Sequence, residues 1–199
     1  MKIFFYILGT FVVLALILMA FVKNSVSEIE SHQYEVLKRF DGFEIRKYEE
    51  ALFSSVILNS SSYSEISSNG FRLLAGYIFG GNSNNEKIAM TSPVTMELAD
   101  TSKMMFMVPS EYEQSNLPTP NNPNIFIETK PAKVVAAIRF GGWANDQKIE
   151  KNLKILKELL QDHKIPHTEN YSFLGYNPPY DVINRRNEII VEVNWELNQ

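Results

Sequence analysis

Two stretches of this chain follow one plan, and that repeat limits the possible folds more than any other feature. Shifted by 82 residues without gaps, Ile45 falls on Ile127, Leu52 on Val134, Phe53 on Val135, Val56 on Ile138 and Leu58 on Phe140. Both stretches are rich in β-branched and aromatic residues, so strand lies on strand. The same shift carries residues 63–79 onto 145–161. In the first window Tyr63, Ile66, Gly70, Phe71, Leu74, Tyr77 and Ile78 recur at helical spacing; in the second Ile149, Leu153, Leu156 and Leu160 do. A shift of 84 then lays residues 103–108 on 187–192. The order strand, strand, helix, strand, strand occurs twice, which predicts an α+β fold with pseudo-two-fold symmetry. Each half alone would expose one sheet face and one helix face, so the halves are expected to share a single core.

Local signals place the boundaries. Asp41-Gly42 between apolar residues marks a hairpin joining residues 34–40 to 42–48. Residues 51–58 read as a β-prone strand, and Gly80-Gly81 stops the first helix. Asn- and Ser-rich residues 82–85 and Pro- and Asn-rich residues 117–124 are loops, with a strand at 104–108 between them.

The start of the chain is of another kind. Residues 3–22 form an uncharged apolar run of the length that crosses a bilayer core. A cleaved signal peptide has a shorter apolar region and a small-residue cleavage site, which Leu18-Met19-Ala20 matches poorly, so a retained transmembrane helix is favoured. Residues 1–22 are therefore the expected anchor, 23–33 a linker and 34–195 the folded domain. Lys2 before the run, against Lys23 offset by Glu28 and Glu30 after it, favours the folded part on the non-cytoplasmic side. The chain carries a net charge of −4, and more without Lys2, which argues against a nucleic-acid partner. It has no cysteine, so disulfides, thiolate metal sites and lipoprotein acylation are excluded.

Three stretches make the sequence recognisable: Met90-Thr91-Ser92-Pro93-Val94, then Phe140-Gly141-Gly142-Trp143, then Gly175-Tyr176-Asn177-Pro178-Pro179 followed by Asn184-Arg185-Arg186-Asn187-Glu188. In this order and spacing they resemble the SOUL haem-binding family, over roughly residues 34–193. The resemblance implies a distorted β-barrel of two βαββ-like halves with two flanking helices. It also implies non-catalytic binding of haem or other tetrapyrroles in a hydrophobic groove beside the first helix. Each motif has a physical reading without a ligand as well. Glycines 141 and 142 can turn strand into helix, the prolines stiffen a loop, and the arginines can pair with Glu188 and Glu192.

Haem presents an apolar ring and two propionates, so its site needs an apolar face and cations at the rim. By the resemblance, the first helix supplies that face through Phe71, Leu74, Ala75 and Ile78, with Arg72 reaching a propionate. The helix has Leu73 and Leu74 where some relatives carry methionine. Read without the family, Phe71, Leu74 and Ile78 are ordinary core residues and Arg72 a solvated charge. Of three histidines, His32 lies in the linker, and His163 and His167 flank the end of the second helix, where capping is expected before iron ligation. Histidine-free haem binding with no metal ligand is thus expected. No nucleophile, metal or phosphate-loop motif argues for an enzyme. The alternative is a small-molecule sensing or protein-interaction module similar to bacterial effector-binding domains.

Overall fold

The structure is a computed structural model and describes residues 29–60, 62–99, 101–178, 181 and 184–195. The expected membrane helix, residues 1–22, lies outside the described residues. Among those described, no helix is long and apolar enough to cross a membrane.

Nine strands and two helices follow in order: β1 (Tyr34–Arg39), β2 (Glu44–Tyr48), β3 (Ala51–Leu58), α1 (Tyr63–Ile78), β4 (Val94–Glu97), β5 (Ser102–Met107), β6 (Ile125–Lys130), β7 (Lys133–Phe140), α2 (Asp146–Asp162), β8 (His167–Gly175) and β9 (Asn187–Val193). The hairpin at Asp41-Gly42 forms, with Gly42 at φ +89°, a conformation that needs no Cβ. Asn145 caps α2 by accepting the Lys148 N–H at 2.9 Å. At the end of α1, Gly80 turns left-handed at φ +110° and the Gly81 N–H returns to the Gly76 carbonyl at 2.9 Å. A Cβ on Gly81 would lie 2.6 Å from that oxygen, so the helix stop requires glycine there.

All strands join one antiparallel sheet in the order β1-β2-β7-β9-β8-β4-β5-β3-β6. The predicted symmetry runs through the β8-β4 junction, and it includes an exchange. The first strand of each repeat pairs with the other repeat: β2 lies on β7 and β6 on β3, with Glu44 opposite Ala137 and Phe126 opposite Ser55. The 82-residue shift interconverts these two pairs, so its register holds. The 84-residue shift does not. Val56 pairs with Met104, and Ile138, its equivalent, pairs with Ile189, which puts Met104 and Ile189 85 residues apart. A slip of one residue exchanges the two faces of a strand, so this 85-residue register sets which side chains of β9 meet the core.

A closed barrel does not form among the described residues: the sheet curls into a half-barrel with β1 and β6 as its edges. Both helices pack on one face. There Ile45, Val56, Leu74, Met104, Leu156 and Ile189 join one cluster drawn from both halves, as burial of two amphipathic faces requires. The other face carries no helix, yet Val135, Leu174, Ile190, Phe53 and Met105 are buried on it. Curvature explains this burial. β2 and β3 stand six places apart in the sheet, but the His32 ring lies 4.8 Å from that of Tyr48 and 5.5 Å from that of Phe53. His32, expected in a linker, is therefore part of the folded body and closes the inside of the curl.

Candidate ligand-binding site

The five residues expected to form the ligand face of α1 divide into two groups. Leu74 and Ile78 are 0% and 4% exposed and belong to the core beneath the helix, with Ala75 buried beside them. Phe71 is half-buried and meets Phe106 edge-on, with ring centres 5.4 Å apart. Arg72 is exposed and has no ion pair among the described residues. The helical repeat places Arg72, Gly76 and Phe79 on one outward line, at spacings of four and three. Phe79 is 63% exposed, which is unusual for so large a ring, and a Cβ built on Gly76 meets nothing within 4 Å. An open strip of backbone is thus bracketed by an aromatic ring at one end and a guanidinium at the other. The sequence pattern missed Gly76 and Phe79 because they lie off the apolar stripe. The available signal was an aromatic residue at a solvent-facing position of an amphipathic helix.

The three recognition stretches converge elsewhere, around the β8–β9 connection. Arg185 donates to the carbonyls of Asn177, Pro178 and Asp181, and its guanidinium stacks 4.2 Å from the Trp143 ring centre. Asn177 accepts the Arg186 N–H, and Asn187 donates to the Gly142 carbonyl at 2.8 Å. Gly142 adopts φ +76°, as the strand-to-helix turn requires. Arg186 pairs with Glu188 at 2.9 Å, as expected, whereas Arg185 serves backbone and aromatic partners. These motifs act first on the fold: they bind the loop before β9 to the loop before α2.

Glu188 lies at the centre of a polar cluster inside the curl. Its carboxylate is fully buried and accepts from Arg46 at 2.7 and 3.2 Å, from Arg186 Nε at 3.0 Å and from the Tyr176 hydroxyl at 2.8 Å. Burial and the neighbouring Tyr48 and Glu188 push the Tyr176 hydroxyl far above its ordinary range, so it serves as a hydrogen-bond donor and not as an acid. Burial likewise holds the His32 imidazole below its usual value, in spite of its contact with the Glu49 carbonyl at 2.8 Å. His163 stands at the C-cap of α2 against Phe40, and His167 contacts the Ile165 carbonyl. Among the described residues, no group of three or more His, Cys, Asp or Glu side chains is placed to hold a metal ion.

A duplicated α+β half-barrel with one helix per half defines the structural class, and solved proteins share it. The C-terminal domain of EcmrR aligns with a TM-score of 0.61 at 12% identity, covering 82% of this chain and 99% of that one. A hydrolase from Listeria innocua aligns at 0.52 with 6% identity, covering 76% and 91%. These likenesses concern the fold alone. A profile of the SOUL heme-binding protein family matches residues 29–192, and the chain belongs to that family. Heme-binding protein 1 of Xenopus laevis is 28% identical over 181 residues, covering 84% of this chain and 95% of the relative. Heme-binding protein 2 of Homo sapiens is 32% identical over 156 residues, covering 74% and 76%.

Proposed function

We propose that this protein binds haem or a related tetrapyrrole, without transforming it, along the outward flank of α1. We further propose that residues 1–22 hold it at a membrane with the folded body on the non-cytoplasmic side. The observation that carries the binding site is the Arg72–Gly76–Phe79 strip. A flat macrocycle can rest on the open backbone at Gly76 with Phe79 against its face, and Arg72 can pair with a propionate. Phe71 and Ala75 border the strip, while Leu74 and Ile78 support it from the core. The family and the names of the relatives above support haem as the ligand.

The residues fit such a ligand through contact and charge, with no axial side chain at hand. Haemin titration of the 199-residue chain in lipid nanodiscs tests this, with empty nanodiscs as the reference. A saturable Soret shift near one equivalent is expected. An exposed propionate pair and a ring contact are each worth about 1 kcal/mol, so Arg72→Ala and Phe79→Ser should each weaken binding about fivefold. No shift, or an affinity undiminished from the parent chain in both variants, overturns the reading, and an absent shift supports small-molecule sensing instead.

A further inference from the structure

A cavity of about 380 Å³ opens inside the curl beside the β1–β2 hairpin, on the sheet face opposite the helices. Four guanidiniums border it, from Arg39, Arg46, Arg139 and Arg186, against two carboxylates, Glu44 and Glu188. Every carboxylate oxygen is already engaged. Both Glu188 oxygens accept from Arg46, and the Arg186 and Tyr176 donors complete them. Glu44 accepts from Arg39 Nε at 3.0 Å and from Arg46 Nε at 2.8 Å. Arg46 thereby spends three of its five N–H donors on these two carboxylates. Arg39 uses Nε alone, and the Arg139 side chain has neither an ion pair nor a hydrogen bond among the described residues. The cavity therefore holds spare cationic donors, while each of its carboxylate oxygens already meets at least one donor, in a chain whose net charge is −4.

We infer that this cavity is a second ligand site, built for a small carboxylate with an apolar body. The carboxylate pairs with Arg139 and the free edge of Arg39, for which the planar guanidinium fork is suited. Val36, Phe40 and Ala137 supply apolar wall, and the volume lies in the range of small-molecule pockets. Oxyanions without such a body leave that wall uncovered. The site is separate from the α1 strip, since none of its lining residues belongs to that helix.

Isothermal titration of the 199-residue chain with benzoate, and with acetate as the carboxylate lacking the body, tests the inference. Benzoate should bind saturably and acetate at least tenfold more weakly. Arg139→Gln should reduce benzoate affinity about tenfold and leave the haemin-induced Soret shift unchanged. Arg139 is exposed, so the variant keeps its fold, which circular dichroism checks; Arg39→Gln provides a second reading at an exposed position. Absence of saturable benzoate binding, equal affinity for acetate, or an undiminished affinity in both variants overturns the inference. Displacement of benzoate by haemin overturns the claim of a second site. Benzoate binding without any haemin binding supports it and instead refutes the proposal for α1.

Discussion

Replacing Glu188 by glutamine removes the negative charge from the centre of the inner cluster and leaves two arginines facing it. Arg46 has a side chain only 6% exposed, so its charge cannot recover hydration where it stands. Breaking a buried pair from one side typically costs about 3–5 kcal/mol. Glutamine keeps one acceptor oxygen, which places E188Q near 3 kcal/mol on that scale. The pseudo-symmetry supplies an internal control. Arg46 is equivalent to Glu128, and Glu188 to Lys103, so Lys103–Glu128 is the same pair with its charges exchanged, at 3.0 Å. Its side chains are 20% and 24% exposed, and E128Q should therefore cost about 1 kcal/mol or less. Urea unfolding followed by tryptophan fluorescence measures both. At roughly 2–4 °C per kcal/mol for a body of this size, E188Q should lower the melting temperature by about 10 °C and E128Q by a few degrees. If the two losses agree within about 1 kcal/mol, burial does not set the strength of these pairs and the reasoning fails.

Other substitutions probe separate parts of the molecule. A Cβ at Gly70 would lie 2.8 Å from Leu58 Cδ1 and 3.0 Å from Met104, so Gly70→Ala should destabilise by about 1–3 kcal/mol in the same unfolding assay. Gly76→Ala, which meets open space, should instead stabilise by up to about 1 kcal/mol through helix propensity. Leu74→Ala should cost about 2–5 kcal/mol in stability while changing haemin affinity much less than Arg72→Ala does, because Leu74 faces the core. Burial depresses the His32 pKa, so the unfolded chain binds the proton more readily. The resulting stability is present above the ordinary histidine value of about 6.5 and is lost as pH falls through the lower folded value. His32→Gln should flatten the fall in unfolding free energy between pH 7.5 and 5.5, and an unchanged slope would contradict the assignment.

Much of the architecture was legible because apolar periodicity is a local signal. Ala51–Leu58, the hairpin at Asp41-Gly42 and both helices fall where the sequence put them. The register of the last repeat was not legible, for a physical reason. Met104, Met105, Phe106 and Met107 are buried on both faces of β5, so the stretch has no alternation from which the facing side could be read. The exchange of β2 and β6 between halves was equally silent, since pairing partners leave no mark on composition. At the candidate site, periodicity marked Leu74 and Ile78 as core residues, which they are, and the family resemblance alone pointed to them as ligand contacts. Gly76 and Phe79 of the proposed strip lie off the apolar stripe, and Arg72 is the one member of the strip that the family resemblance indicates. The inner cluster was beyond reach because Arg46 and Glu188 are 142 residues apart in the chain.

A bound haem ring would rest beside α1. Ferric haem is paramagnetic, so amide signals close to it broaden in nitrogen–proton spectra of the chain at one equivalent of haemin. Broadening is expected to centre on Arg72, Gly76 and Phe79, with the amides of Arg46, Arg139 and Glu188 sharp. Broadening centred on those three inner-face residues, or a spectrum unchanged by haemin, would contradict that placement.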